Sequence, residues 1–181
     1  KDQLQTVYEQ VPYVEGGKKY WAINATDLTD GSLAIFESAP GTNGAAKLMV
    51  ADPEGNNLNS VLCQEMEKDP SAIWQLEATG RYDAIYTSKT TYYLKDVTTG
   101  LYYGTATTTS SINQADKRMV EGTALAYTFC LLTADEIKTK EGHGVNNYGN
   151  DKAVYIHHSN ADGTWFRLSR FGAYTQVYYI S

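Results

Sequence analysis

Apolar and polar positions alternate along this chain in short runs, and no stretch sustains a stripe of 3.6-residue period. Alternation of period two, broken by clusters of Gly, Asn, Asp and Pro, predicts strands joined by turns. The clearest unit spans residues 92–104, where Tyr92, Tyr93, Leu94 and Lys95 on one arm and Leu101, Tyr102 and Tyr103 on the other flank Thr98-Thr99-Gly100. That composition predicts a β-hairpin closed by its glycine turn. Strands are expected before it at 73–78 and 81–87 and after it at 126–131. Similar runs at 11–14, 20–23, 32–37, 47–50, 60–66, 153–157, 164–171 and 174–180, with a short one at 118–120, extend the pattern. Residues 105–111 read as a solvated loop or edge strand. One helical turn is expected at 133–137, with Thr133 as its cap. About a dozen short strands predict a single all-β domain over residues 1–181, a barrel or a two-sheet β-sandwich.

Composition narrows the function. With 181 residues the chain is long enough to bury a core. A formal charge of −6 with thinly spread Lys and Arg excludes a nucleic-acid partner, because phosphate binding needs a concentrated basic face. No apolar run approaches the roughly 20 residues of a membrane-spanning helix. Lys1 rather than Met opens the sequence, and a longer precursor is the expectation. The fifteen tyrosines, with abundant Thr, Asn and Gly, suit strands and turns.

Few residues carry the marks of chemistry. Cys63 and Cys130 make no disulfide framework and are expected unpaired. They also lack a helix N-terminus or basic neighbour that would lower a thiol pKa. Neighbouring His157 and His158 on one strand point to opposite faces and cannot share a metal, while His143 stands alone. Asp27, Asp30 and Asp162 sit beside glycines at spacings that fit turns and not an EF-hand. There is no nucleophile elbow, and no cofactor or metal is expected. Asn24-Ala25-Thr26 is a common glycosylation triplet.

An internal repeat is visible in three strands, each with a ring and an apolar partner two residues on: Trp74 and Leu76, Tyr127 and Phe129, Phe166 and Leu168. Such pairs share a strand face, and their spacing of roughly 40 to 50 residues is a repeat period. With residues 92–102 the pattern resembles the β-trefoil domains of the ricin-B-like lectin type, appended to secreted bacterial enzymes and surface proteins. The resemblance implies a β-trefoil, with those six side chains in the core near a pseudo-three-fold axis. The chain departs from that family where the lectins carry Gln two residues before the ring; here Ala72, Leu125 and Thr164 stand there. Residues 163–170 also resemble a strand of Kunitz-type trypsin inhibitors, which share the trefoil.

The tyrosine pairs point to a site. On a strand one member of each pair, Tyr92/Tyr93 and Tyr102/Tyr103, faces away from the core. An outward ring stacks on a sugar face, and a carboxylate beside it accepts hydroxyl hydrogen bonds. Asp96, Tyr102 and Tyr103 are therefore the expected ligand contacts, with Asn146, Asn147 and Tyr148 a weaker set. The expectation is a non-enzymatic, secreted or surface-exposed module that binds a glycan or a protein partner. The competing reading is a trefoil protease inhibitor, and the third a small hydrolase.

Overall fold

The computed structural model describes residues 14–15, 18–22, 28–37, 47–51, 58–62, 73–105, 117–142, 154–158 and 175–180. Its strands, in chain order, are β1 (Val14–Glu15), β2 (Lys18–Ala22), β3 (Leu33–Glu37), β4 (Lys47–Ala51), β5 (Leu58–Leu62) and β6 (Trp74–Tyr82). They continue with β7 (Thr90–Asp96), β8 (Tyr102–Thr105), β9 (Lys117–Val120), β10 (Cys130–Thr133), β11 (Val154–His157) and β12 (Thr175–Ile180). One helix, α1 (Ala134–Glu141), follows β10 directly. Strands take 53% of the described residues and the sheet they form is curled and antiparallel, so the protein is all-β as its alternation predicts.

Hydrogen bonding links the strands in the order β1-β2-β12-β3-β6-β7-β8-β9, with β4–β5 attached to β3 and β10–β11 attached to β12. A further bridge joins Tyr92 of β7 to Phe129, the residue before β10, through N–H···O contacts of 2.7 and 2.9 Å. Pairing therefore passes from β12 through β3, β6, β7, β10 and β11 and returns to β12. Among the described strands this circuit closes through that single bridge, and the hairpins β4–β5 and β8–β9 branch from it.

The hairpin at 92–104 forms where the sequence predicts it. Asp96 begins its turn: Oδ2 accepts from the Thr99 N–H at 2.9 Å and the Thr99 hydroxyl at 2.6 Å. The Gly100 N–H then reaches the Asp96 carbonyl. Such side-chain acceptors are the reason Asp and Thr favour turns. Further along, Gly104 has no room for a side chain. A Cβ there would lie 2.3 Å from the Leu125 carbonyl oxygen and 2.7 Å from Val120 Cγ2.

Trp74 pairs with Asp96 and Leu76 with Leu94 across β6–β7, and all four are buried. The Trp74 indole N–H donates to the Met49 carbonyl at 3.0 Å, tying β6 to β4. Tyr103 packs against Trp74, Tyr127 and Phe129, with ring centroids 5.3 to 6.4 Å apart. Burial of Trp74, Leu76, Tyr127 and Phe129 matches the expected core. Phe166 and Leu168 lie outside the described residues, as do Cys63, His143, Asp27, Asp162, Asn24 and Asn146 to Tyr148.

Three elements differ from what the sequence predicts. The strand expected at 126–131 is β10 at Cys130–Thr133, with Ala126 and Phe129 in isolated bridges before it. Residues 81–87 were expected as a separate strand. Instead β6 runs through to Tyr82, and the chain then makes a compact excursion from Asp83 to Lys89. Asp83 Oδ2 accepts the N–H groups of Ile85 and Tyr86, each at 3.0 Å, which turns the backbone away from a ladder. The expected helical turn extends to the eight residues of α1. Its Thr133 cap is reinforced by a capping box with Glu136, and it ends at a left-handed Gly142.

Candidate functional site

Strand alternation separates the tyrosine pairs, but not with the expected members outside. Tyr103 is fully buried, and Asp96 is 0% exposed behind the same sheet. The expectation that these two face a ligand is corrected: Leu94 and Asp96 of β7 and Tyr103 of β8 point to the core. Asp96 fixes the hairpin turn, and Tyr103 fills the space beside Trp74. Tyr102 does lie on the outer face, but only 9% of it is exposed. Its hydroxyl donates to Glu77 Oε1 at 2.7 Å, Tyr93 meets it edge-on at 6.0 Å, and Lys95 Nζ stands 5.8 Å above its ring. Burial, with the Glu77 carboxylate next, pushes the Tyr102 phenol up to about 12. It stays protonated and remains a donor to Glu77.

Of the two rings on this face, Tyr93 is the more accessible. It pairs with Glu77 across β6–β7, while Lys95 pairs with Gln75 on one side and Tyr102 on the other. These register positions put Gln75, Glu77, Tyr93, Lys95 and Tyr102 on one face of the sheet. Arg81 joins them through a bulge between Ala78 and Tyr82. Gly80 takes the left-handed conformation there at φ 78°, which a side chain would resist. Thr79 and Thr91 lock the bulge, their hydroxyls 2.6 Å apart and the Thr91 hydroxyl donating to the Arg81 carbonyl. Arg81 Nη2 then donates to the Tyr93 hydroxyl at 3.3 Å. Tyr93 and Tyr102 are members of the tyrosine pairs seen in the sequence, whereas Gln75, Glu77, Arg81 and Lys95 carry no motif of their own. The register that assembles them is set by contacts far apart in sequence.

A second polar cluster is buried. Cys130 of β10 pairs directly with His157 of β11, so the two side chains share a face. The excursion covers that face: the Tyr86 ring meets His157 edge-on at 5.1 Å, and the Cys130 thiol hydrogen-bonds to Asp83. The Tyr86 hydroxyl donates to Glu141 at 3.0 Å, and Lys89 Nζ lies 2.6 Å from Glu136 Oε2, so α1 holds the excursion down. Burial first, and Asp83 second, raise the Cys130 pKa far above that of an ordinary thiol. Cys130 is a free thiol, as expected, and this environment keeps its proton on. Burial also draws His157 down to about 4, against an opposing pull from Asp83 and with a smaller push from His158. His158 points elsewhere, its Nδ1 donating to the Thr128 carbonyl at 2.5 Å and its ring set against Tyr127 and Phe129. Asp30 lies in a turn, but its Oδ1 accepts the N–H of Ala78 in β6 at 2.8 Å, a link across 48 residues and not within the turn.

Among the described residues no group of three His, Cys, Asp or Glu could hold a metal ion. Likewise none of their helices is long and apolar enough to cross a membrane. No protein-family model and no curated protein matches the chain.

Proposed function

We propose that this chain is a non-catalytic β-trefoil module, secreted or at the cell surface, that binds carbohydrate through the outer face of β6, β7 and β8. The trefoil reading is supported by the six-strand circuit and by the placement of its branches. Hairpin β4–β5 lies between circuit strands β3 and β6, and hairpin β8–β9 between β7 and β10. One continuous sheet favours this reading over a two-sheet sandwich.

A single observation carries the binding reading. Tyr93 is a half-buried ring held from both sides, by Arg81 at its hydroxyl and by Tyr102 at its edge, with Gln75, Glu77 and Lys95 around it. A rigid ring with a rim of donors and acceptors suits a sugar, which has an apolar face and hydroxyls at its edge. Tyr102 supports Tyr93, while Asp96 and Tyr103 act from behind the sheet by holding the hairpin. The face is shallow, so affinity is expected at about millimolar to high micromolar, roughly 4 to 6 kcal/mol.

Glycan-array screening followed by titration of the best glycan tests the proposal. Tyr93→Ala should abolish binding with little change in thermal stability. Tyr102→Ala should weaken binding and lower stability together. Glycan binding that survives Tyr93→Ala would discard this face. No glycan binding, with tight inhibition of a protease instead, would replace the reading with the inhibitor.

A further inference from the structure

We infer that the sugar taken by this face is anionic, a saccharide bearing carboxylate or sulfate groups. The inference rests on the carbohydrate reading above and deepens it. The chain carries a net charge of −6, yet the face around Tyr93 carries two cations, Arg81 and Lys95, beside the Glu77 carboxylate. Arg81 sits at the hydroxyl end of Tyr93, brought there by the Gly80 bulge. Lys95 sits two residues along the same strand, over Tyr102. Neither has an ion-pair partner among the described residues, where Lys89 and Glu136 form the ion pair. The carboxylate of this face, Glu77, already accepts from the Tyr102 hydroxyl at 2.7 Å, and it stands in register with Tyr93 and not with either cation.

This geometry selects a ligand. A sugar ring laid on Tyr93 would have a guanidinium at the hydroxyl end and, on the same face, an ammonium over the neighbouring Tyr102 ring. Arg offers a planar pair of donors that matches a carboxylate or sulfate, and Lys offers a mobile point charge. A neutral sugar would take hydrogen bonds from both cations through its hydroxyls but would gain no charge pairing. The Tyr102 hydroxyl donates to Glu77 at 2.7 Å, which partly offsets the charge that this carboxylate presents to an incoming anion. Attraction from two half-screened cations is modest and salt-dependent.

The experiment titrates the whole chain with three probes: a tetrasaccharide of galacturonic acid, a heparin-derived tetrasaccharide and neutral cellotetraose. The expected result is binding of at least one anionic probe about tenfold tighter than cellotetraose. That preference should weaken roughly fivefold in Arg81→Gln and again in Lys95→Gln, and it should shrink as salt is raised. The tighter of the two anionic probes identifies carboxylate or sulfate as the recognised group. Both cations are at least partly exposed, and folding of each variant is checked by its melting temperature. Cellotetraose binding as tightly as the anionic probes, unaffected by either substitution but lost in Tyr93→Ala, would overturn the anionic inference and leave the carbohydrate reading standing. No binding of any of the three, with no hit on the glycan array, would overturn both.

Discussion

His157 shows what burial does to a single titratable group. Its ring faces Cys130, Tyr86 and Asp83 and is 1% exposed, so the charged form lacks water. The folded protein binds its proton near pH 4, whereas the unfolded chain binds it near 6.5. Between those values the unfolded state holds a proton that the folded state lacks, so stability falls as pH drops through this window and levels off below it. The loss amounts to roughly 3 kcal/mol. Urea midpoints measured between pH 7.5 and 4 should show this decline, and His157→Phe should flatten it; an equal slope in the variant would contradict the assignment. The sequence placed His157 on a strand and separated it from His158, and both hold. It could not show the excursion that buries it, because Tyr-Asp-Ala-Ile-Tyr at 82–86 alternates like a strand. The Asp83 side chain overrides that alternation by capturing two backbone N–H groups.

At the scale of elements, the hairpin of β7 and β8 was the most legible part, because its turn chemistry is local. Asp96, Thr99 and Gly100 sit within five residues and need no distant partner. Which face of each arm meets solvent was less legible. Adjacent tyrosines give the alternation but not its phase, and the phase is set by Trp74 opposite Asp96 and Leu76 opposite Leu94. That is why Asp96 and Tyr103 were expected outside and are found inside. Gly104 tests the packing of the same hairpin. The neighbour a Cβ would strike is the Leu125 carbonyl, part of a backbone held by the Gly104–Ala126 bridge and unable to rotate away. Gly104→Ala should therefore cost about 2 to 3 kcal/mol in chemical denaturation. The same substitution at Gly31, where nothing lies within 4 Å, should cost less and only through its backbone conformation. Equal costs at the two positions would show that the close approach does not matter.

Across the whole molecule, the closure of the circuit rests on a short contact between Tyr92 and Phe129. The sequence named both residues, one for the hairpin and one for the core repeat, and gave no reason to pair them. Their pairing joins segments whose separation no local signal encodes. If the circuit is closed in solution, the Tyr92 and Phe129 amides should exchange with deuterium as slowly as those of the β6–β7 ladder. Rapid exchange at both, beside a protected β6–β7 ladder, would mean that β7 and β10 part there. Closure also depends on β12, which bonds to β2, β3 and β11.

That last arrangement has a consequence for biosynthesis. A ribosome delivers β2 and β3 long before β12, the strand both of them need. Until β12 emerges, their bonding edges are bare, and bare edges pair readily with those of other chains. Contacts so distant in sequence also slow folding, because a long loop must close before they form. The nascent chain thus passes through a period in which β2 and β3 lack a partner strand and are open to pairing with other chains.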